Sequence, residues 1–315
     1  MSATHDPAGP GAVSPVLDNP RADRVKAVRA LAGRSARVRH GQFLVEGPQS
    51  VRELVLEDAP HVRDLYLTEA AADRYEEIVA AARAGGVRTH LATPAVLDAM
   101  SPDAQHVLAV ARPRAVALEE VLAASPRLVA VLSRVRDPGN AGAVIRAADA
   151  AGADAVVLTA ESVDVHNPKV VRSTAGSLFH LPVVTGVTLA VTVAALRSGG
   201  LAVLAADGTG EHDLDDLLDV AGQGSAPGLA AATGTAAMAG SAVTPGSAAA
   251  PGSTATPDLA RPTAWVFGNE AWGLPDADRA LADAVVRVPI RGRAESLNLA
   301  TAATVCLYAS SRAQR

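Results

Sequence analysis

Short runs of valine, leucine and alanine that alternate with helical or polar segments constrain the fold of this chain more than any other feature. Six of these runs follow residue 127, and their continuous apolar character is typical of strands buried on both faces. The predicted strands are 128–135, 155–159, 181–184, 201–206, 264–267 and 285–290. Predicted helices 144–151, 168–178 and 299–309 lie between or after them. We therefore expect an α/β fold with a mostly parallel sheet that helices cover on both faces.

A smaller α/β pattern occupies the preceding residues. It consists of predicted strands 42–47, 64–67 and 107–110 and predicted helices 25–31, 51–55 and 73–84. A chain of 315 residues is long enough for about two domains. We expect a smaller domain at 20–115 and a larger one at 116–315, which begins with a linking helix at 119–124.

Two segments lack the periodicity of either domain. Residues 1–19 are rich in proline, glycine and alanine, which predicts a disordered tail. Residues 222–261 consist almost entirely of small and polar residues and cannot form a core. Because ordered patterns resume on both sides, we expect a disordered loop inserted into the larger domain.

Composition excludes several classes of protein. No run of about 18 apolar residues is present, so we predict no membrane span. The first residues lack the features of a signal peptide, which favours a cytoplasmic location. The single cysteine, Cys306, excludes an internal disulfide. His166, His180 and His212 show no paired spacing, so we expect no metal site.

Positive charge is concentrated near the start of the smaller domain. The net charge of −5 is not typical of a nucleic-acid-binding protein. Between residues 21 and 39, however, seven basic residues accompany only one acidic residue, Asp23. This segment is either a solvated helix face or a site that binds phosphates.

Three loops that follow predicted strands carry the chemically distinctive residues. In the first, Pro138 and Gly139 form a turn, Asn140 can cap the next helix, and Arg146 lies early in that helix, where both side chains can face the same space. Ligands of open α/β sheets bind near such strand ends. The alternative is an ordinary cap and an exposed charge.

The second and third loops occur late in the chain. In the second, Gly268 and Gly273 allow a flat ligand to approach the backbone, and Glu270 places a carboxylate at the end of a strand. Its spacing fits neither a P-loop nor a dinucleotide-binding motif. In the third, a basic loop leads to Ser296 and Asn298, both good residues for capping the last helix.

Together the three loops resemble a known family. Asn140-x-Gly142-x-x-x-Arg146, Gly268-Asn269-Glu270-x-x-Gly273 and Ser296-Leu297-Asn298 are similar, in order, to the three motifs of the SpoU/TrmH family of RNA 2′-O-methyltransferases. Residues 43–47 resemble the start of that family's N-terminal RNA-binding domain, so the likeness runs from about residue 20 to the C-terminus.

The resemblance implies a trefoil-knotted methyltransferase domain that binds S-adenosylmethionine and forms homodimers whose active site borrows residues across the interface. The implied cofactor-binding residues are Gly268, Asn269, Gly273, Val288, Ile290 and Leu297. The implied catalytic residues are Asn140, Arg146, Glu270, Ser296 and Asn298. The candidate RNA contacts are Arg29, Arg34, Arg37, Arg39 and Arg172.

Two functions therefore remain open. The first is S-adenosylmethionine-dependent 2′-O-methylation of a ribose, with 23S rRNA favoured over tRNA. The second is RNA binding or ribosome assembly without catalysis by a chain that retains the fold. A dehydrogenase or Rossmann-type methyltransferase is disfavoured because no Gly-x-Gly-x-x-Gly follows the first strand of either domain.

Overall fold

The computed structural model describes residues 16–223 and 256–315. Most of the predicted tail and of the predicted insertion therefore lies outside the described residues. The chain divides into two compact units. The first contains residues up to 114 together with 166–180, and the second contains 115–165 and 181–315.

The strands follow the alternation that the sequence predicts. In the described ranges they are β1 (Phe43–Glu46), β2 (Val62–Leu67), β3 (Arg88–Leu91), β4 (Val107–Ala111), β5 (Leu128–Leu132), β6 (Ala155–Thr159), β7 (Val183–Val187), β8 (Ala202–Ala206), β9 (His212–Asp213), β10 (Thr263–Phe267) and β11 (Ala284–Arg287). The helices are α1 (Asp23–Ala30), α2 (Arg34–His40), α3 (Pro48–Glu57), α4 (Glu69–Arg74), α5 (Glu76–Ala84), α6 (Pro94–Met100), α7 (Leu118–Ala123), α8 (Pro138–Ala150), α9 (Pro168–Ser173), α10 (Leu189–Ser198), α11 (Leu214–Val220), α12 (Asp276–Arg279) and α13 (Leu299–Ala313). No helix in these ranges has the length and apolar character needed to cross a membrane.

The first unit is built on a four-stranded sheet in the order β1-β4-β2-β3. Strand β4 runs antiparallel to β1 and β2, whereas β2 and β3 are parallel. Alternate residues of β1, β2 and β4 enter separate apolar clusters, as the two-residue period of a strand requires. Leu65 and Leu67 pack in one cluster with α3 and α5, and Tyr66 packs in the other with α1 and α6.

The second unit contains a seven-stranded sheet in the order β7-β6-β5-β10-β8-β11-β9, and every pair in it is parallel. This confirms the prediction of an α/β fold with a mostly parallel sheet. Strand β10 lies in the middle, with its last residue, Phe267, level with Leu132 of β5 and Ala206 of β8. The loops after these three strands therefore leave the sheet at the same edge.

Several predicted boundaries are wrong, for local reasons. The predicted strand 285–290 ends at Arg287, two residues before Pro289, and the predicted strand 128–135 ends at Leu132. The predicted helix 168–178 is broken after α9, because Ala175 and Gly176 have left-handed backbone conformations. The sequence patterns do not predict strands β3 and β9 or helices α2, α6, α10, α11 and α12, and the predicted helix 73–84 covers only the end of α4.

Candidate active site

In the first loop of the second unit, the residue that caps helix α8 is not the predicted one. Asp137 caps α8 by accepting a hydrogen bond of 2.8 Å from the Asn140 backbone N–H, and Pro138 occupies the first helical turn. The prediction that Asn140 is the cap is therefore wrong. Because proline at the first helical position favours a cap one residue earlier, the Asp137-Pro138 pair was the signal for it. The Asn140 side chain is left available for another contact.

That contact joins the first loop to the third. The Asn298 side-chain nitrogen donates to the Asn140 side-chain oxygen at 3.0 Å. Asn298 is itself the cap of α13, and its side-chain oxygen accepts hydrogen bonds from the backbone N–H groups of Ala300 and Thr301. The predicted capping role of Asn298 is confirmed. Its amide group orients both the start of α13 and Asn140.

Glu270 and Asn269 join the second loop to the first. The Glu270 carboxylate accepts hydrogen bonds from the backbone N–H of Asp137 at 3.1 Å and of Arg136 at 3.4 Å. The buried Asn269 side chain donates to the Arg134 carbonyl at 2.8 Å. The second and third loops are therefore both tied to the segment between β5 and α8.

Gly268 allows the second loop to fold back on itself. Asn269 and Gly273 exchange two backbone hydrogen bonds of 3.0 and 2.9 Å, which closes a tight loop. A Cβ atom at Gly268 would lie 2.4 Å from the Gly273 carbonyl carbon and 2.6 Å from the Leu274 backbone nitrogen. Glycine at position 268 is thus required by the close approach of the loop's own backbone.

The third loop presents apolar side chains and free backbone groups. Ile290 is 40% exposed and Leu297 is 36% exposed. Among the described residues, no backbone-to-backbone hydrogen bond involves residues 290–297. A flat heterocycle such as adenine binds to apolar faces and pairs its edge with backbone groups. The third loop has both of these features.

Arg146 and Ser296 lie outside this network of hydrogen bonds. Both are exposed, and within the described ranges neither makes a hydrogen bond or an ion pair. Arg146 lies six residues after Asn140, which separates their Cα atoms by about 9 Å along the helix axis and about 120° around it. The two residues therefore project from different parts of the α8 surface, and a shared site for their side chains stays a prediction.

Two polar groups near these loops are not among the predicted site residues. The Arg136 guanidinium lies over the exposed Trp272 ring, 5.4 Å from its centre. After β8, the Asp207 carboxylate accepts hydrogen bonds from Thr209 and Arg279. Burial would raise the pKa of Asp207, but the hydrogen bonds from these two residues outweigh it and lower the pKa below its usual value. No local sequence pattern predicts this interaction, because Arg279 lies 72 positions after Asp207 in the chain.

The candidate RNA contacts of the first unit differ in their availability. Arg29, Arg34 and Arg39 are exposed. Arg37 is buried, and its guanidinium donates to the carbonyl groups of Leu31 and Ala32, so its prediction as an RNA contact is wrong. Arg172 pairs with the carboxylates of Glu46 and Asp103, which compensate its charge.

Two protein-family models match the chain. The model of the SpoU rRNA methylase family matches residues 127–308. The model described as RNA 2′-O ribose methyltransferase substrate binding matches residues 44–116.

Individual relatives match over most of their length. The chain is 30% identical to the 23S rRNA (uridine(2479)-2′-O)-methyltransferase of Streptomyces viridochromogenes, over 90% of this chain and 86% of that protein. It is 29% identical to the 23S rRNA (guanosine-2′-O-)-methyltransferase RlmB of Bordetella pertussis, over 88% of this chain and 93% of that protein. The crystal structure of an AdoMet-bound rRNA methyltransferase from Sinorhizobium meliloti matches with a TM-score of 0.70 and 27% identity, over 92% of this chain and 94% of that one.

Proposed function

The chain belongs to the SpoU rRNA methylase family, and from this premise we propose that it transfers a methyl group from S-adenosylmethionine to a ribose 2′-oxygen of 23S rRNA. The observation that carries the proposal is the joining of three loops at one edge of the parallel sheet. Glu270 links the second loop to the first, and Asn298 links the third to the first. The same three loops contain the motifs that resemble the family.

Residues of the second and third loops would hold the cofactor. Gly268, Asn269 and Gly273 form the closed loop after β10, and Val288, Ile290 and Leu297 belong to the segment after β11. When bound, S-adenosylmethionine supplies an electrophilic methyl group on a positively charged sulfur.

The protein's own task is to position the ribose and to stabilise charge on its oxygen. A guanidinium remains protonated at neutral pH, so Arg146 does not act as a simple base. We assign it to holding a phosphate of the RNA and stabilising negative charge that develops on the 2′-oxygen. Asn140, Ser296 and Asn298 would line the ribose site, and Glu270 would position the first loop through its contacts with backbone N–H groups.

A homodimer would complete this site. Among the described residues Arg146 makes no hydrogen bond or ion pair with the second and third loops of its own chain, and we propose that a second copy supplies it to them. Val305 and Tyr308 are exposed apolar residues one helical turn apart on α13, which packs against α8. We propose that this face of α8 and α13 forms the dimer interface and brings the partner subunit's Arg146 to the loops.

Three further proposals follow from the family. The loops after β10 and β11 would form a trefoil knot, which the insertion of the late strand β10 between β5 and β8 supports. Residues 20–115 would form the RNA-binding domain and 116–315 the methyltransferase domain. The enzyme would act in the cytoplasm, where ribosomal RNA is.

Methyl transfer from radiolabelled S-adenosylmethionine to a 23S rRNA transcript tests the proposal. We expect incorporation at one ribose, which resists alkaline cleavage after the modification. Arg146→Ala should reduce kcat by at least about a hundredfold while cofactor affinity, measured by calorimetry, stays unchanged. Arg261→Ala removes another exposed arginine of the second unit and is the matched control. Binding of RNA and cofactor without methyl transfer by the wild type would instead favour the non-catalytic alternative.

A further inference from the structure

The first unit contains a cavity that the proposed chemistry does not use. It has a volume of about 390 Å³ and lies between helix α1 and strands β2 and β3 of the sheet. This volume is within the range of about 300–1,000 Å³ that is typical of small-molecule sites. Val28, Leu31 and Val110 contribute apolar surface to its wall.

Positive charge surrounds the cavity. Arg24, Arg63, Arg88 and His40 line it, and the carboxylate of Asp64 is its one acidic group. Three arginines facing one carboxylate leave an excess of positive charge, even with His40 neutral. An anionic group such as a phosphate would satisfy this excess.

Asp64 organises the cations. Its carboxylate lies 2.9 Å from His90 Nε2, 3.2 Å from Arg63 Nε and 3.4 Å from Arg88 Nε. Burial would raise the pKa of Asp64, but the hydrogen bond from His90 and the charge of Arg88 act against burial and lower the pKa below its usual value. The carboxylate is therefore ionised at neutral pH and can accept a hydrogen bond from a ligand.

Tyr66 supplies a hydrogen-bond donor without a partner. The residue is 1% exposed, lines the cavity and stacks against the His90 ring at 5.0 Å. Among the described residues its hydroxyl takes part in no hydrogen bond. Burial, followed by the charge of Asp64, raises the pKa of Tyr66 to about 12, so the hydroxyl keeps its proton. The hydroxyl is therefore free to donate a hydrogen bond to a ligand inside the cavity, which Tyr66 lines.

We propose that this cavity binds one unpaired nucleotide of the RNA substrate. Arg24, Arg63 and Arg88 would hold its phosphate, and the base would lie against the apolar wall with its edge facing Tyr66 and Asp64. Proteins recognise RNA sequence mainly at unstacked bases of this kind, which loops and bulges provide. The inference rests on the proposed function for the identity of the ligand as RNA.

Salt-dependent binding of a 23S rRNA transcript to the full chain tests the cavity without requiring catalysis. In the double variant Arg24→Ala, Arg88→Ala we expect affinity to fall by about tenfold or more, because each arginine contributes a charge-assisted contact with phosphate. The slope of log K against log salt should fall by about 1.4, which is about 0.7 for each lost contact with a single strand. Tyr66→Phe retains the ring and should weaken binding severalfold without a change of slope.

Arg83→Ala is the matched control, because Arg83 is an exposed arginine of α5 that does not line the cavity. It should leave affinity and slope at the wild-type values. Wild-type binding by the double variant would overturn the proposal, and so would the absence of 23S rRNA binding by the wild type.

Binding of free nucleoside monophosphates distinguishes a site for a free nucleotide from a site for a nucleotide within RNA. The cavity would be a site for a free nucleotide if the wild type binds these compounds saturably, the double variant does not, and both proteins bind RNA with the same affinity. That result would overturn the proposal. The results also distinguish an error in the cavity proposal from an error in the proposed function.

Methyl transfer by the wild type, together with unchanged RNA binding by the variants, would refute the cavity proposal alone. Weakened RNA binding by the variants without methyl transfer by the wild type would refute the methyltransferase alone.

Discussion

Substitution of Gly268 by alanine tests whether the second loop must fold back on itself to bind the cofactor. The added methyl carbon would lie 2.4 Å from the Gly273 carbonyl carbon, whereas ordinary contacts begin at 3.4 Å. The backbone must therefore move by about 1 Å, and overpacking of this kind costs about 1–3 kcal/mol. The movement also weakens the two hydrogen bonds between Asn269 and Gly273, each of which contributes about 1 kcal/mol.

If about half of the contribution of these two hydrogen bonds is lost, about 1 kcal/mol, the total cost for the native loop conformation is about 2–4 kcal/mol. If the cofactor binds only that conformation, its affinity should fall by roughly 30-fold to 1,000-fold, since about 1.4 kcal/mol corresponds to a factor of ten. Isothermal titration calorimetry with S-adenosylmethionine measures the affinity, and urea unfolding measures the free energy of the fold.

Gly33→Ala is the control, because a Cβ there would meet only the Ala30 carbonyl oxygen, at 3.4 Å. It should leave cofactor affinity unchanged. An affinity of Gly268→Ala within about threefold of the wild type would refute the argument, since that factor corresponds to less than 1 kcal/mol.

Three other predictions follow from the second unit. Co-expression of Arg146→Ala and Gly268→Ala subunits should restore about a quarter of the wild-type methyl transfer if the active site is shared between subunits. About half of the dimers are then mixed, and one of the two sites in each mixed dimer has an intact loop and an intact Arg146. If each chain completes its own site, no activity should be restored. Asp207→Asn should destabilise the protein at pH 7 in urea unfolding. Because folding lowers the pKa of Asp207 from 3.8, the difference should shrink as the pH falls below 3.8 and disappear below the lower pKa of the folded protein. Persistence of the difference in acid would contradict this. Ser310→Ala removes the hydroxyl that accepts a hydrogen bond of 2.8 Å from the buried Trp265 indole nitrogen. The loss should lower the free energy of unfolding by about 1–3 kcal/mol. An unchanged free energy of unfolding would show that the indole finds another acceptor.

The parts of the fold that were predicted well are those with a strong local pattern. The predicted strand 264–267 differs from β10 by one residue. Because β10 is buried on both faces, its apolar run is continuous and its ends are easy to locate in the sequence. Helix α10 was missed because seven of its ten residues are alanine, valine or leucine, and a short run of these residues does not distinguish a helix from a strand. The break after α9 depends on two residues with positive φ, one of them Ala175, which has no such preference.

The candidate site divides in the same way. Asn298 could be predicted as a cap because a polar residue stood directly before a helical pattern. The hydrogen bond between Asn140 and Asn298 could not, because it joins residues 158 positions apart in the chain. Resemblance to the family supplied the grouping of these residues. The burial of Arg37 depends on how α2 packs, which a count of positive charges does not contain.

The place of β10 at the middle of its sheet ties the folding of the second unit to the last part of its synthesis. Strands β5 and β8 are made earlier but pair with β10 on opposite sides. Until residue 267 has left the ribosome, both keep an open edge of apolar residues, and such edges readily pair with other chains. Closing a long connection costs little extra free energy, but pairing between distant segments is slow. A chain interrupted before Thr263 would therefore accumulate as an aggregation-prone intermediate instead of a smaller folded domain.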